Sequence, residues 1–280
     1  MNRNVVCLPL TLLHNQTRIL RSAARLHGAS FEDTEMLEKA EKFLFAQGGH
    51  WSPFQMRGWF SSRLKDLPEA WKVLCTECVS KKLAAELFSD ENITSIGARL
   101  VKVLDFLEEE LRLKAKKSRR SLIHGDFWSG NFLFSKSTAE VVIVDFQFTG
   151  IGRGAMDVAY LLYASADLSV LKDDDLIARL LKVYLSELEK ASDGNSRDYS
   201  LEELRWEVKL CTLEICMKWF AGVLKNCAVD TLEEKPMWDG REGTFAFLES
   251  PQHLQWFIRY VHELLQEVET LQLSTGTDFS

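Results

Sequence analysis

The sequence predicts an α+β fold that is mostly helical and contains one short β-hairpin. Over most of the chain, apolar residues recur every three or four positions, which is typical of amphipathic helices. The exception lies near the middle, where two short runs at residues 132–134 and 141–144 are rich in aromatic and β-branched side chains. A polar stretch at residues 135–140 separates them, and this pattern indicates a β-hairpin.

Helical spacing dominates the first half of the chain. We expect a first helix over residues 10–27, ending at Gly28, because glycine commonly terminates helices. A second helix over residues 34–46 should end at Gly48-Gly49. Prolines favour helix starts, and Asn92 or Thr94 offers a cap. The further helices expected on these grounds cover residues 53–64, 68–88 and about 92–117.

The chain is helical again after the hairpin. The spacing predicts helices over residues 173–191, 201 to about 228, and 251 to about 271. Residues 274–280 are polar and small, so we expect a disordered tail there. This leaves one domain over residues 1–273.

Composition excludes several classes of protein. Lys and Arg total 34 against 41 Asp and Glu, a formal net charge of -7, which argues against nucleic-acid partners. No stretch has the ~18 apolar residues of a membrane span. Pro9 interrupts the N-terminal apolar run, and no cleavage site follows it. We therefore expect a cytoplasmic protein without a membrane span.

Polar residues able to support phosphoryl transfer cluster around the hairpin. His124-Gly125-Asp126 follows an apolar lead-in, Asn131 comes five residues later, and the second strand of the hairpin ends on Asp145. The two ends of the hairpin should therefore place Asn131 and Asp145 side by side. Taken singly, each of these residues could equally be a turn former, a helix cap or a structural histidine.

The order of these residues indicates a chemistry. Asn131 and Asp145 offer hard oxygen ligands, which suit Mg²⁺ when phosphates and water complete its coordination. Asp126 lies upstream of the hairpin, where its carboxylate can accept a proton from an incoming hydroxyl. An Asp, four intervening residues, an Asn, and then a strand ending in Asp is the order used by kinase-like phosphotransferases.

The motifs also resemble a known family. Residues 124–131, HGDFWSGN, with residues 143–147, IVDFQ, resemble the aminoglycoside phosphotransferase and choline kinase superfamily of small-molecule kinases. The Asp-Phe-Gln ending and Asp157, which opens DVAYLL, are most similar to its ecdysteroid kinase-like branch. This resemblance implies ATP and Mg²⁺ as cofactors and a small-molecule hydroxyl as phosphate acceptor.

The resemblance assigns a role to each residue of the motif. Asp126 would be the catalytic base, with His124 beside it in the catalytic loop at residues 122–131. Asn131 and Asp145 would bind the metal and, through it, the nucleotide. His124 and Asp157 would brace the loop, with Asp157 as an N-cap directed back at it. The metal-binding strand and loop would cover residues 141–157.

The resemblance also implies a fold. It predicts a protein-kinase-like architecture in which this chain forms mainly the helical C-terminal lobe. Residues 23–27, AARLH, resemble the helix that opens that lobe. We therefore expect the N-terminal nucleotide lobe to be absent from this chain.

Two other functions stay open at this stage. If the nucleotide lobe is absent, the chain could be a truncated, non-catalytic kinase-like binding or regulatory protein. Alternatively, Gly150, Gly152 and Ala155 satisfy a loose dinucleotide-binding pattern between a strand and a helix. In the kinase reading, the same glycines form a mobile loop after Asp145. The acceptor and the oligomeric state are also left open.

Overall fold

A computed structural model describes residues 5–6, 13–49, 57–78, 85–86, 88–113, 119–135, 140–220 and 250–275. The chain divides into two compact units, where the sequence predicts one domain over residues 1–273. The first unit comprises Met1–Ser52 and Lys116–Cys211, and the second comprises Pro53–Ala115 and Thr212–Ser280. The residues predicted to form the functional site all belong to the first unit.

The described chain is mostly helical, as predicted. Its helices are α1 Leu13–Gly28, α2 Thr34–Ala40, α3 Arg57–Val73, α4 Glu91–Thr94, α5 Ile96–Lys102, α6 Leu104–Glu108, α7 Gly154–Ser165, α8 Leu168–Leu171, α9 Asp174–Ala191, α10 Leu201–Lys218 and α11 Pro251–Thr275. Its strands are β1 Val5–Val6, β2 Arg120–Ile123, β3 Phe132–Ser135, β4 Val141–Ile143 and β5 Gly150–Arg153. Among the described helices, none carries an apolar stretch long enough to cross a lipid bilayer.

The predicted hairpin is confirmed. Strands β3 and β4 pair antiparallel, with Phe132 opposite Ile143 and Phe134 opposite Val141. Strand β1 adds to the other edge of β3, so the sheet order is β1-β3-β4. With only two residues, β1 is too short to give a periodic pattern, and it was not predicted.

A second antiparallel pair corrects the prediction of a loop at residues 150–153. Strand β5 pairs with β2, from Arg120 opposite Arg153 to Ile123 opposite Gly150. The glycines there reflect close packing: a Cβ at Gly152 would lie 2.5 Å from the Ile123 side chain. Because β2 and β5 are antiparallel and no parallel crossover joins them, this segment lacks the strand arrangement of a dinucleotide-binding site.

The first unit is built around α7. Eleven of its residues, from Gly154 to Ser165, are buried, and a helix that is apolar on all sides belongs in a core. Helix α1 packs along α9 and also contacts α7 and β2. The predicted helix over residues 173–191 is confirmed, with Asp173 capping it through a hydrogen bond from the Leu176 backbone N–H.

In the second unit, α3 corrects the prediction that Pro68 begins a helix. Pro68 lies inside α3, and the buried Leu64, Leu67 and Trp71 keep a helical spacing on both sides of it. The Trp71 indole N–H donates to the Ile93 carbonyl at 2.9 Å. Tertiary packing therefore continues the helix through a proline that would otherwise interrupt it. A π-helical turn, Leu74–Cys78, follows.

Other helix boundaries also differ from those predicted. Helix α2 ends at Ala40, six residues before the predicted end at 46. Asp90, and neither Asn92 nor Thr94, caps the next helical region, which is divided into α4, α5, α6 and a π-helical turn, Glu109–Leu113. Helix α11 extends to Thr275, into the predicted tail, whereas residues 276–280 lie outside the described residues. The predicted extension of α10 to residue 228 also lies mostly outside them.

Gly125 shows how tightly the loop after β2 is packed. Its φ is +83°, and a Cβ there would lie 2.4 Å from both the Gly49 nitrogen and the Phe148 oxygen. Gly194 has the same φ of +83°, but a Cβ there would meet only the Arg197 side chain, at 3.4 Å. The two glycines share one backbone conformation and differ in the space around them.

We therefore expect Gly194→Ala to lower the free energy of unfolding by about 1 to 2 kcal/mol, the strain of a left-handed Ala. Gly125→Ala should lower it by roughly 2 kcal/mol more, because the clash is with backbone. Urea unfolding of both variants measures the difference. Equal losses of unfolding free energy in the two variants would show that the backbone around Gly125 can move aside without an energetic cost.

Candidate active site

The loop between β2 and β3 brings Asp126 and Asn131 together. The Asn131 side-chain N–H₂ group donates to the Asp126 carbonyl at 2.7 Å and to the Asp126 carboxylate at 3.2 Å. Asn131 is 7% exposed, and Asp126 is half-buried. Because the nitrogen of the Asn131 amide is engaged by Asp126, its oxygen remains able to bind a cation.

The hairpin places Asp145 next to this pair. Beyond the last strand pair, the Val144 N–H donates to the Asn131 carbonyl at 3.0 Å, so Asp145 is one residue past the partner of Asn131. The prediction that the hairpin ends lie side by side is confirmed at the level of the backbone. The Asp145 side chain is exposed and accepts from the Gln147 amide at 3.2 Å.

Asp145 also has a strained backbone. Its φ is +65°, in the left-handed region that non-glycine residues rarely adopt, although Asp tolerates it better than most. Such outliers occur often at functional sites. The strained residue lies two positions after the end of β4.

His124 connects the loop to the hairpin. Its ring is fully buried, Nε2 donates to the Val144 carbonyl at 2.9 Å, and Nδ1 accepts from the Asp126 N–H at 3.2 Å. These partners define a neutral tautomer. Both ring nitrogens of His124 are therefore engaged within the protein, and they join the loop after β2 to the backbone that follows β4.

Asp157 binds the loop from the opposite side. Its fully buried carboxylate accepts from the His124 N–H at 2.7 Å and from the Gly125 N–H at 2.9 Å. The predicted N-cap position is wrong, because Arg153 occupies the N-cap of α7 and Asp157 lies in its first turn. Its side chain is nevertheless directed at the loop after β2.

The sequence analysis missed a third partner of Asp157. The His27 Nε2 lies 3.1 Å from the Asp157 carboxylate, and the His27 Nδ1 lies 2.8 Å from the Tyr184 hydroxyl. In sequence, His27 is only the last residue before a helix-ending glycine. Its position on the buried face with Ala23, Ala24 and Leu20 was the one signal that could have identified it.

A second cluster of buried polar side chains includes Arg153, the last residue of β5. Arg153 forms a short ion pair with Glu207, and the Tyr199 hydroxyl donates to the other oxygen of that carboxylate at 2.7 Å. Burial raises the pKa of Glu207, an effect that the Arg153 charge opposes. Arg119 covers the Tyr199 ring, 4.7 Å from its centroid. This cluster fixes the strand that leads into α7.

The residues present suit a nucleotide-bound cation. The Asn131 oxygen and the Asp145 carboxylate are hard donors, and Mg²⁺ is often bound by one or two such groups together with phosphates. Within the described residues there is no group of three or more His, Cys, Asp or Glu side chains able to enclose a metal. The site would therefore depend on a ligand to complete the coordination.

Comparison with known proteins identifies the family. Residues 8–193 match the model of the ecdysteroid kinase-like family. The chain belongs to this family. The match confirms the resemblance to that branch and with it a kinase-like phosphotransferase family. It covers all of the loop, hairpin and α7 residues described above.

Two solved structures are similar to the chain. One, from Ralstonia eutropha, is provisionally described as an aminoglycoside phosphotransferase; its identity is 14%, its TM-score is 0.44, and the match covers 91% of this chain and 65% of that one. The other is an aminoglycoside phosphotransferase from Alicyclobacillus acidocaldarius, with 15% identity, a TM-score of 0.46, and coverage of 95% and 70%. The chain thus spans about two thirds of the length of these structures. No curated protein matches the chain.

The strain at Asp145 gives a stability prediction. Asp145→Gly should be more stable than Asp145→Ala by about 1 kcal/mol, because glycine adopts a positive φ freely while alanine does not. At Asp105, an exposed position in α6, the order should reverse, since alanine favours a helix by about 1 kcal/mol over glycine. Urea unfolding measures both pairs of variants. If Asp145→Ala were more stable than Asp145→Gly, the strained backbone at Asp145 would be contradicted.

Proposed function

We propose that this protein is an ATP-dependent phosphotransferase that moves the γ-phosphate to a hydroxyl group of a small molecule. In this proposal Asp126 is the base, and Asn131 and Asp145 bind the Mg²⁺ that accompanies the nucleotide. The observation that carries it is the hydrogen-bonded unit formed by Asp126, Asn131 and the backbone at Val144, directly before Asp145. Membership of the ecdysteroid kinase-like family supports the general reaction.

Asp126 is suited to act on the acceptor. The Asn131 N–H₂ group bonds to one carboxylate oxygen, which orients the carboxylate and leaves the other oxygen available to an acceptor hydroxyl. That oxygen takes the hydroxyl proton as the acceptor oxygen bonds to the γ-phosphorus. The bond from that phosphorus to the bridging oxygen breaks, and ADP leaves.

Asn131 and Asp145 serve the nucleotide side. When bound there, Mg²⁺ would neutralise charge on the phosphates. Asn131 can take part in both halves of the site, since its nitrogen orients Asp126 while its oxygen would be a ligand of the cation. The exposed position of Asp145 leaves its carboxylate accessible to a ligand that arrives from solvent.

The acceptor can be found with a direct assay. Purified protein is incubated with MgATP and a panel of hydroxylated compounds that includes an ecdysteroid, choline and an aminoglycoside. Mass spectrometry then detects the gain of one phosphate. The ecdysteroid is included because of the family to which the chain belongs.

Substitutions at two carboxylates separate the two roles. Asp126→Asn should lower kcat by a factor on the order of 10² or more, while the Kd for MgATP stays unchanged, because only the proton acceptor is lost. Asp145→Asn should abolish transfer and weaken MgATP binding together. Calorimetry measures Kd, and the acceptor found in the screen is used to measure kcat.

Asp193→Asn provides the matched control. Asp193 is exposed and has a φ of +50°, close to that of Asp145, so the substitution has the same local cost without touching the loop or the hairpin. It should leave both kcat and Kd at wild-type values. Normal turnover by Asp145→Asn, or equal loss of kcat and affinity in Asp126→Asn, would contradict the assigned roles.

A further inference from the structure

A buried chain of hydrogen bonds runs from α9 through α1 to the catalytic loop. Tyr184 on α9 contacts His27 on α1, His27 contacts Asp157 on α7, and Asp157 accepts from the His124 and Gly125 N–H groups. His27, Tyr184 and Asp157 are each at most 1% exposed. Two helices, α1 and α7, and the loop after β2 therefore meet at one carboxylate.

The side-chain hydrogen bonds of this buried series all point the same way, from Tyr184 through His27 to Asp157. Both Asp157 oxygens accept from backbone N–H groups, so His27 Nε2 is the donor in its contact with Oδ2 at 3.1 Å. The His27 Nδ1 is then an acceptor for the Tyr184 hydroxyl at 2.8 Å. Burial, followed by the charge of Asp157, raises the pKa of Tyr184 well above its usual value, which keeps the hydroxyl protonated as this arrangement requires.

The two oxygens of the Asp157 carboxylate accept different hydrogen bonds. The oxygen Oδ1 accepts from the Gly125 N–H, whereas Oδ2 accepts from both the His124 N–H and His27 Nε2. A buried carboxylate is stable only when such donors replace the water it has lost. Without the His27 donor, one of the three would be missing, and only the two loop N–H groups would hold and compensate the buried carboxylate.

We propose that His27 is a positioning residue that holds the Asp157 carboxylate in the orientation that fixes the catalytic loop. His27 does not contact the reacting atoms; it acts through Asp157 and then through the backbone of His124 and Gly125. The role in turnover rests on the proposed function, whereas the role in holding the loop does not.

Two substitutions at His27 separate its two contacts. A Gln amide nitrogen can occupy the place of Nε2 and keep the donation to Asp157, while an Asn amide reaches only the place of Nδ1. Residue-resolved amide hydrogen exchange by NMR reports the loop directly. In His27→Asn, exchange of the His124 and Gly125 amides should be about tenfold faster, the change expected when one buried hydrogen bond is lost.

His27→Gln should keep exchange within about threefold of wild type, because the donor to Asp157 is retained. Exchange in α10 at Leu204 should not change in either variant. Wild-type exchange at His124 and Gly125 in His27→Asn would overturn the proposal. So would equal acceleration in both variants, or acceleration that extends to Leu204, which would indicate general destabilisation.

A pair of tyrosines provides a test that does not depend on a His27 variant folding. Tyr184→Phe and Tyr199→Phe each remove one buried hydroxyl from the same unit, but only Tyr184 contacts His27. Exchange at His124 and Gly125 should accelerate in Tyr184→Phe and stay at the wild-type rate in Tyr199→Phe. An equal response of the two would overturn the proposal.

Turnover tests the consequence for catalysis. With MgATP and an acceptor, His27→Asn should lower kcat about tenfold with little change in KM for MgATP, and His27→Gln should restore most of kcat. If the loop amides respond as described but wild-type protein transfers no phosphate, the positioning role stands and the proposed function fails. If wild-type protein transfers phosphate but the loop amides do not respond in His27→Asn, the proposed function stands and the positioning role fails.

Discussion

The Asp157 carboxylate is the constraint on which the described site depends. It is fully buried in the first turn of α7, and burying a charge without hydrogen bonds is costly. Donors from the loop after β2 and from His27 offset that cost. In doing so they bind three otherwise separate elements, α1, α7 and the loop after β2, to one point in the core.

The positions of Asp126, Asn131 and Asp145 depend on this carboxylate. Asp157 fixes the backbone of His124, and the His124 ring then joins the loop to the Val144 carbonyl. The Val144 N–H, directly after β4, donates to the Asn131 carbonyl, and the Asn131 side chain orients Asp126. The site is therefore built by backbone contacts and buried histidines, while Asp145 is left exposed at the end of the hairpin.

The parts predicted from sequence are those determined by local patterns. The hairpin follows from two short runs of aromatic and β-branched residues separated by a polar stretch, and its register brings Asn131 next to Asp145 through the backbone alone. Helices α1, α9 and α11 follow from helical spacing and from their capping or terminal residues. Family motifs then supplied chemical roles that spacing alone leaves ambiguous.

The parts that were missed depend on contacts between distant residues. Strand β5 has glycines because the Ile123 side chain approaches closely, so its sequence resembles a loop. Pro68 remains inside α3 because the apolar stripe continues on both sides of it. His27 cannot be recognised locally either, since its partners Asp157 and Tyr184 lie 130 and 157 residues away.

The most direct test of this account is whether a nucleotide-bound cation lies at the end of the hairpin. Mn²⁺ can replace Mg²⁺ and broadens the NMR signals of nearby groups, independently of turnover. On addition of MnATP, the side-chain amide signal of Asn131 should broaden strongly, whereas that of Asn195, an exposed Asn in the first unit, should not. Sharp Asn131 signals with ATP bound, or equal broadening of Asn195, would contradict the assignment of this site.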